Sequence, residues 1–181
     1  IDPYHIGAYS FLLPVYDAAR RWDEFDRTVE TLFSIEPEHQ TTWAMWVLSK
    51  ADRGGVDEAY EMIVARGMQD SPLACFVYAR QGERARIVDI IARIELQPGL
   101  PMWLAHCYAL IEDLEGVVKM VRAGVESHDP ALFHIVSKGV SVHRQLGING
   151  RPLGDIYSSD QVQAVLREVG LDRQSIDAIR I

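Results

Sequence analysis

The chain has 181 residues, 20.4 kDa of mass, a net charge of -8 and an isoelectric point near 5.2. That acidity argues against nucleic acid and anionic membrane surfaces as partners, because both are gripped by cationic faces. The 48% hydrophobic content supplies a continuous core, yet no apolar run approaches the roughly 20 residues of a membrane span, and no leader pattern is visible.

The chain repeats itself early. Ile1-Asp2-Pro3-Tyr4-His5 returns as Ile35-Glu36-Pro37-Glu38-His39, 34 places on. A fixed offset of that size marks stacked helical hairpins. Helical periodicity dominates and strand alternation is nowhere sustained. Tyr9, Leu12, Leu13 and Tyr16 carry the first helix of unit one, with Phe25, Val29 and Pro37 after it. Pro14 lies inside that helix and predicts a kink. Unit two sets Trp43, Trp46, Val47 and Lys50 before Ala59, Ile63 and Pro72. Unit three sets Ser71, Ala74, Cys75 and Tyr78 before Ile87, Ile91 and Pro98. Unit four sets Pro101, Leu104, Ala105 and Tyr108 before Val117, Val121 and Pro130.

Tyr9 to Phe25, Trp43 to Ala59, Ser71 to Ile87 and Pro101 to Val117 are each 16 places apart. The step between units varies, as surface connections tolerate and packed hairpins do not. Second helices are predicted over Asp23–Phe33, Val56–Ala65, Arg84–Ile94 and Leu114–Val125. Ser71-Pro72 and Asp129-Pro130 read as caps followed by proline at the first helical position. Arg53-Gly54-Gly55 and Gln81-Gly82 read as turns between paired helices. Beyond Pro130 the repeat fades. One more helix is predicted over Ala131–Val142, a loop over Leu146–Gly154, a helix over Asp160–Val169 opened by a Ser158/Gln161 capping box, and a last turn over Ser175–Arg180. The division is thus 1–142 for degenerate repeats and 143–181 for a loop and closing helix.

Chemistry is sparse. The glycine-rich stretch 147–154 has neither the Gly-Lys-Ser/Thr end nor the preceding strand of a phosphate loop. His5, His39, His106, His128, His134 and His143 show no pair at metal-ligand spacing, and His106 and Cys107, as helix neighbours, point about 100° apart. The acidic clusters Asp23-Glu24, Asp57-Glu58 and Glu112-Asp113-Glu115 recur at helix starts, where they complement the dipole. Tyr9, Tyr16, Trp43, Trp46, Tyr78, Trp103 and Tyr108 form a stripe that reads as core, with a groove lining as the alternative. Cys75 and Cys107 read as small buried hydrophobes without a disulfide, which makes a reducing, cytoplasmic compartment the default. No catalytic residue, cofactor or metal is expected.

These residues resemble tetratricopeptide repeats over Ile1 to Pro130. The resemblance implies an all-α, right-handed superhelical array of antiparallel helix hairpins. The Ile1–His5 stretch, the degenerate array and the closing helix from Asp160 to Leu171 also look like the C-terminal repeat regions of bacterial class III adenylate cyclases and winged-helix transcriptional activators. That implies a C-terminal piece of a longer protein, serving there as a non-catalytic regulatory or sensory module for protein interaction. The partner would be a protein or peptide segment, including another domain of the same polypeptide. Alternatives are a homodimeric scaffold and an enzyme of unknown type. Carried onto this chain, the groove-facing positions of the repeats are Leu48, Asp52, Phe76, Arg80 and His106. In that reading Arg80 orients a carboxylate. The repeated lysine and asparagine pattern of peptide-clamping members is missing.

Overall fold

The computed structural model describes residues 6–95, 100–132, 135, 144–172 and 174–175. Among them every regular element is helical. The helices are α1 Ile6–Ala18, α2 Trp22–Ile35, α3 Gln40–Asp52, α4 Val56–Ala65, α5 Pro72–Gln81, α6 Arg84–Ile94, α7 Pro101–Leu110, α8 Leu114–Ser127, α9 Leu153–Tyr157 and α10 Asp160–Arg167. A 3-10 turn covers Pro130–Leu132, and one isolated antiparallel bridge joins Leu146 to Pro152. The all-α expectation is met.

The hairpins fall where the spacing places them: α1 packs on α2, α3 on α4, α5 on α6 and α7 on α8. First helices also pack on one another, α1 on α3, α3 on α5 and α5 on α7. Two second helices begin and end at the predicted residues, α4 and α6, because the 16-residue period fixes both members of a hairpin. α1 runs unbroken through Pro14. Arg53-Gly54-Gly55 and Gln81-Gly82 form the expected turns, with Gly54 at φ 92° and Gly82 at φ 76°. Asp23, Glu24, Asp57, Glu58 and Glu115 occupy first helical turns, where the free amides favour negative charge.

Capping differs from expectation in detail. Ser71 precedes α5 but its hydroxyl donates to the Met68 carbonyl instead of accepting from the helix. Ser159, not Ser158, occupies the cap of α10, and Ser158 donates back to Gly154. The predicted Ser158/Gln161 box is therefore absent, since Ser158 belongs to the end of α9. Asp129 accepts from Ala131 N at 2.8 Å, over the 3-10 turn alone. Apart from Ile135, which is helical and buried, the rest of the helix predicted over 131–142, the Ile1–His5 repeat start, Pro98 and the turn beyond Ser175 lie outside the described residues.

The core runs from Trp43 to Leu166 as one cluster, with a smaller one of Leu13, Phe25, Val29 and Leu32 inside the first hairpin. Phe33 and Trp46 join the two edge to face, ring centroids 5.6 Å apart. Each fully buried Leu, Ile or Phe in these layers contributes about 1.5–3 kcal/mol. From the turn after α3, Arg53 grips Asp26 of α2 with two hydrogen bonds of 2.9 and 3.0 Å and lies 4.5 Å over the Trp22 ring.

One hairpin shows why a helix keeps a glycine. A Cβ on Gly116 would stand 2.1 Å from the Tyr108 ring, and that ring is tethered by its hydroxyl donating to Glu95 at 3.1 Å. Gly116→Ala is expected to cost about 1–3 kcal/mol through overpacking, read as a lowered thermal midpoint. An unchanged midpoint would mean that α7 and α8 can separate without penalty.

Candidate functional site

The first helices share one more property. α1, α3, α5 and α7 together line a groove of about 1330 Å³. Its walls are mostly apolar: Phe11, Trp43, Leu48, Leu73, Phe76 and Trp103 are typical. Phe11 is 74% exposed and Val15 57% exposed, and both belong to this lining. Two large apolar side chains thus stand exposed on one wall. α1 explains how this arises. It is apolar all round, so burying Leu13 against Phe25 leaves Phe11 and Val15 on the opposite side.

The five predicted groove residues divide. Leu48, Phe76 and His106 line the groove. Phe76 and His106 are nearly closed off, forming its floor. His106 is fixed by a hydrogen bond between Nδ1 and the Tyr157 hydroxyl, and its ring meets Trp103 edge-on at 6.1 Å and Phe76 at 6.0 Å. Complete burial holds the Tyr157 phenol well above its ordinary pKa, so it stays neutral.

Asp52 and Arg80 are not in the described lining. They form an ion pair with each other, and Asp52 also accepts from Gln145 Nε2 at 2.6 Å. Arg80 is thus already paired through Nη2 with a carboxylate of its own chain, while its buried Nε has no hydrogen-bond partner among the described residues. Gln145 belongs to a crossing segment that follows residue 143. Arg144 donates to the Ala18 carbonyl at 2.6 Å and pairs with Asp17 at 2.8 Å. Ile148 N donates to the Leu110 carbonyl at 2.8 Å, and Leu153 N returns to Gln145 O at 2.9 Å. Gly147 lets this strap lie close, since a Cβ there would stand 3.0 Å from the Leu110 carbonyl.

The strap touches the carboxyl ends of α1, α3 and α7. It supplies donors to carbonyls and carboxylates where the helix dipoles end negative. Burial pushes the pKa of Asp17 up, with Arg144 opposing and the charge of Asp52 reinforcing. Burial likewise raises Asp52, opposed first by Arg80. Sequence reading missed Asp17, Arg144 and Gln145. Only a buried acid at the end of an apolar helix hinted at the first.

The cysteines also differ from expectation. Cys75 of α5 and Cys107 of α7 are fully buried, as predicted, but they are joined in a disulfide with Cα atoms 5.6 Å apart. Counting cysteines could not show this, because pairing depends on where α5 and α7 face each other. The bond removes the argument that unpaired thiols imply a reducing compartment. It lies one residue from each floor residue, Phe76 and His106, and so clamps the two helices that make the floor.

Among the described residues no group of three or more His, Cys, Asp or Glu could hold a metal ion. No helix among them is long and apolar enough to cross a membrane. Set against known protein families, curated proteins and solved structures, the chain gives no match in any of the three comparisons.

Proposed function

We propose that this chain is a non-catalytic binding module that works through the groove of its first helices, as a regulatory or sensory part of a larger signalling or transcription-regulating protein. The single observation that carries the reading is the groove itself, with Phe11 and Val15 left exposed on its wall. A short amphipathic protein segment suits it. Such a segment satisfies its own backbone when helical and needs only apolar depth for its anchors. A disulfide beneath the floor and a strap across the helix ends keep that surface in one shape, which lowers the ordering cost of binding. The compartment in this reading is the cytoplasm, with the Cys75–Cys107 bond shielded from thiol reductants by the burial of both residues.

The test needs no knowledge of the partner. The uncharged dye Nile red is expected to bind with a blue-shifted emission, and Leu48→Glu to weaken it by roughly tenfold or more, since a carboxylate on the wall must be desolvated. Unchanged circular dichroism of the variant keeps the comparison fair. Absence of binding, or binding indifferent to Leu48→Glu, would refute the groove as the working surface.

A further inference from the structure

The groove has a polarity. Among its described lining residues there is no Asp or Glu, although the chain carries a net charge of -8. The one Lys or Arg among those lining residues is Arg66. Its guanidinium lies 4.7 Å over the Trp43 ring, so it is held at the wall rather than waving in solvent. Its carboxylate partner is Glu38, at 3.5 Å, and the Glu38 side chain is 86% exposed. A contact of that kind contributes little and is readily exchanged for another anion.

The helix ends add to the same rim. Ala18, Asp52 and Leu110, all at carboxyl ends of first helices, meet the one strap. The amino ends of these helices therefore face the other way. Gln40 of α3, together with Ser71 and Leu100 just before α5 and α7, lines the groove, and Arg66 meets Glu38 and Trp43 at the start of α3. Helix amino ends carry partial positive charge, so they reinforce the guanidinium. Towards the opposite end the lining is Val15, Ala18, Leu48 and the floor residues Phe76 and His106.

From this charge complementarity we infer that the groove is an effector site for a small amphiphilic acid, an apolar body with a single carboxylate, whose acid lies against Arg66 and the amino end of α3. This rests on the groove being the working surface, and it names the signal that a sensory module would read. A long acyl or aryl acid matches a lining whose Arg66 and whose Gln40, Thr41 and Ser71 lie towards the amino ends of α3 and α5, with mostly apolar residues beyond them and His106 held by Tyr157.

The probes are decanoate and decyltrimethylammonium, matched in chain length and used below micelle formation, with binding read by calorimetry and by tryptophan fluorescence from Trp43 and Trp103. Decanoate is expected to bind roughly tenfold or more tighter than the cation, and the preference to shrink as salt is raised. Arg66→Met is expected to abolish the preference, with unchanged circular dichroism showing that the fold is kept. Glu38→Gln is expected to strengthen decanoate binding by freeing Arg66. Equal affinity for the two probes, or a preference that survives Arg66→Met, would overturn the assignment while the groove reading stands. Failure of Nile red and of both probes would instead defeat the groove reading itself.

Discussion

Ala59→Asp is expected to cost about 3–5 kcal/mol and so to consume much of the stability of a domain this size. Ala59 is fully buried in the first half of α4, in the layer where α4 closes on α3. Its amide bonds to Gly55 O at 3.0 Å, so the backbone there is fixed and cannot swing the new side chain outward. A carboxylate at this point would have no charged partner and would take up a proton rather than ionise, at further cost. Ala59→Ser, which adds one small hydroxyl, should cost far less. Urea denaturation followed by circular dichroism measures both. A wild-type midpoint for the aspartate variant would mean that the hairpin register set by the 16-residue spacing is wrong.

The second large effect concerns the strap. Arg144→Met leaves Asp17, 2% exposed, without the cation that faces it. Removing one member of a buried pair costs about 3–5 kcal/mol in general, and the partial exposure of Arg144 places this case near about 3. The compensated double variant Asp17→Asn with Arg144→Met should recover most of the loss, because burial already outweighs pairing for Asp17, as its raised pKa shows. The sign of the pH dependence follows from the same shift. Between the ordinary carboxyl value of 3.8 and the raised one, the folded chain binds the proton more tightly than the unfolded chain does. The stability contributed by this group is therefore greatest at low pH and declines as pH rises through the raised value. Asp17→Asn removes that slope. Thermal melts over a pH series give the energies, and hydrogen exchange at Ile148 and Leu153 tells whether the strap lifts first. Equal losses in the single and double variants would show that Arg144 acts by packing alone.

The groove was partly legible through the resemblance to tetratricopeptide repeats. Leu48, Phe76 and His106, the positions that the resemblance assigns to a groove, line the one that the first helices form. Arg80 and Asp52, assigned by the same resemblance, lie outside the described lining and pair with each other. Periodicity assigns a face and carries no information about which charges already neutralise one another.

What the sequence by itself determined is local. The 16-residue spacing, the Gly54 and Gly82 turns and the acidic first turns set four hairpins, with boundaries within about two residues at α2, α4, α6 and α8. These features are decided by contacts a few residues apart, and side-chain pattern reports such contacts directly. The tertiary structure alone decided the Arg144–Asp17 and Gln145–Asp52 links, the Cys75–Cys107 bond, the seating of Tyr157 on His106, and the gathering of Arg66 and the helix amino ends on one rim. Each joins segments from 26 to 127 residues apart, the shortest being Arg66 with Gln40. Such partners meet only when successive hairpins stack at particular angles, and single-chain periodicity does not encode those angles.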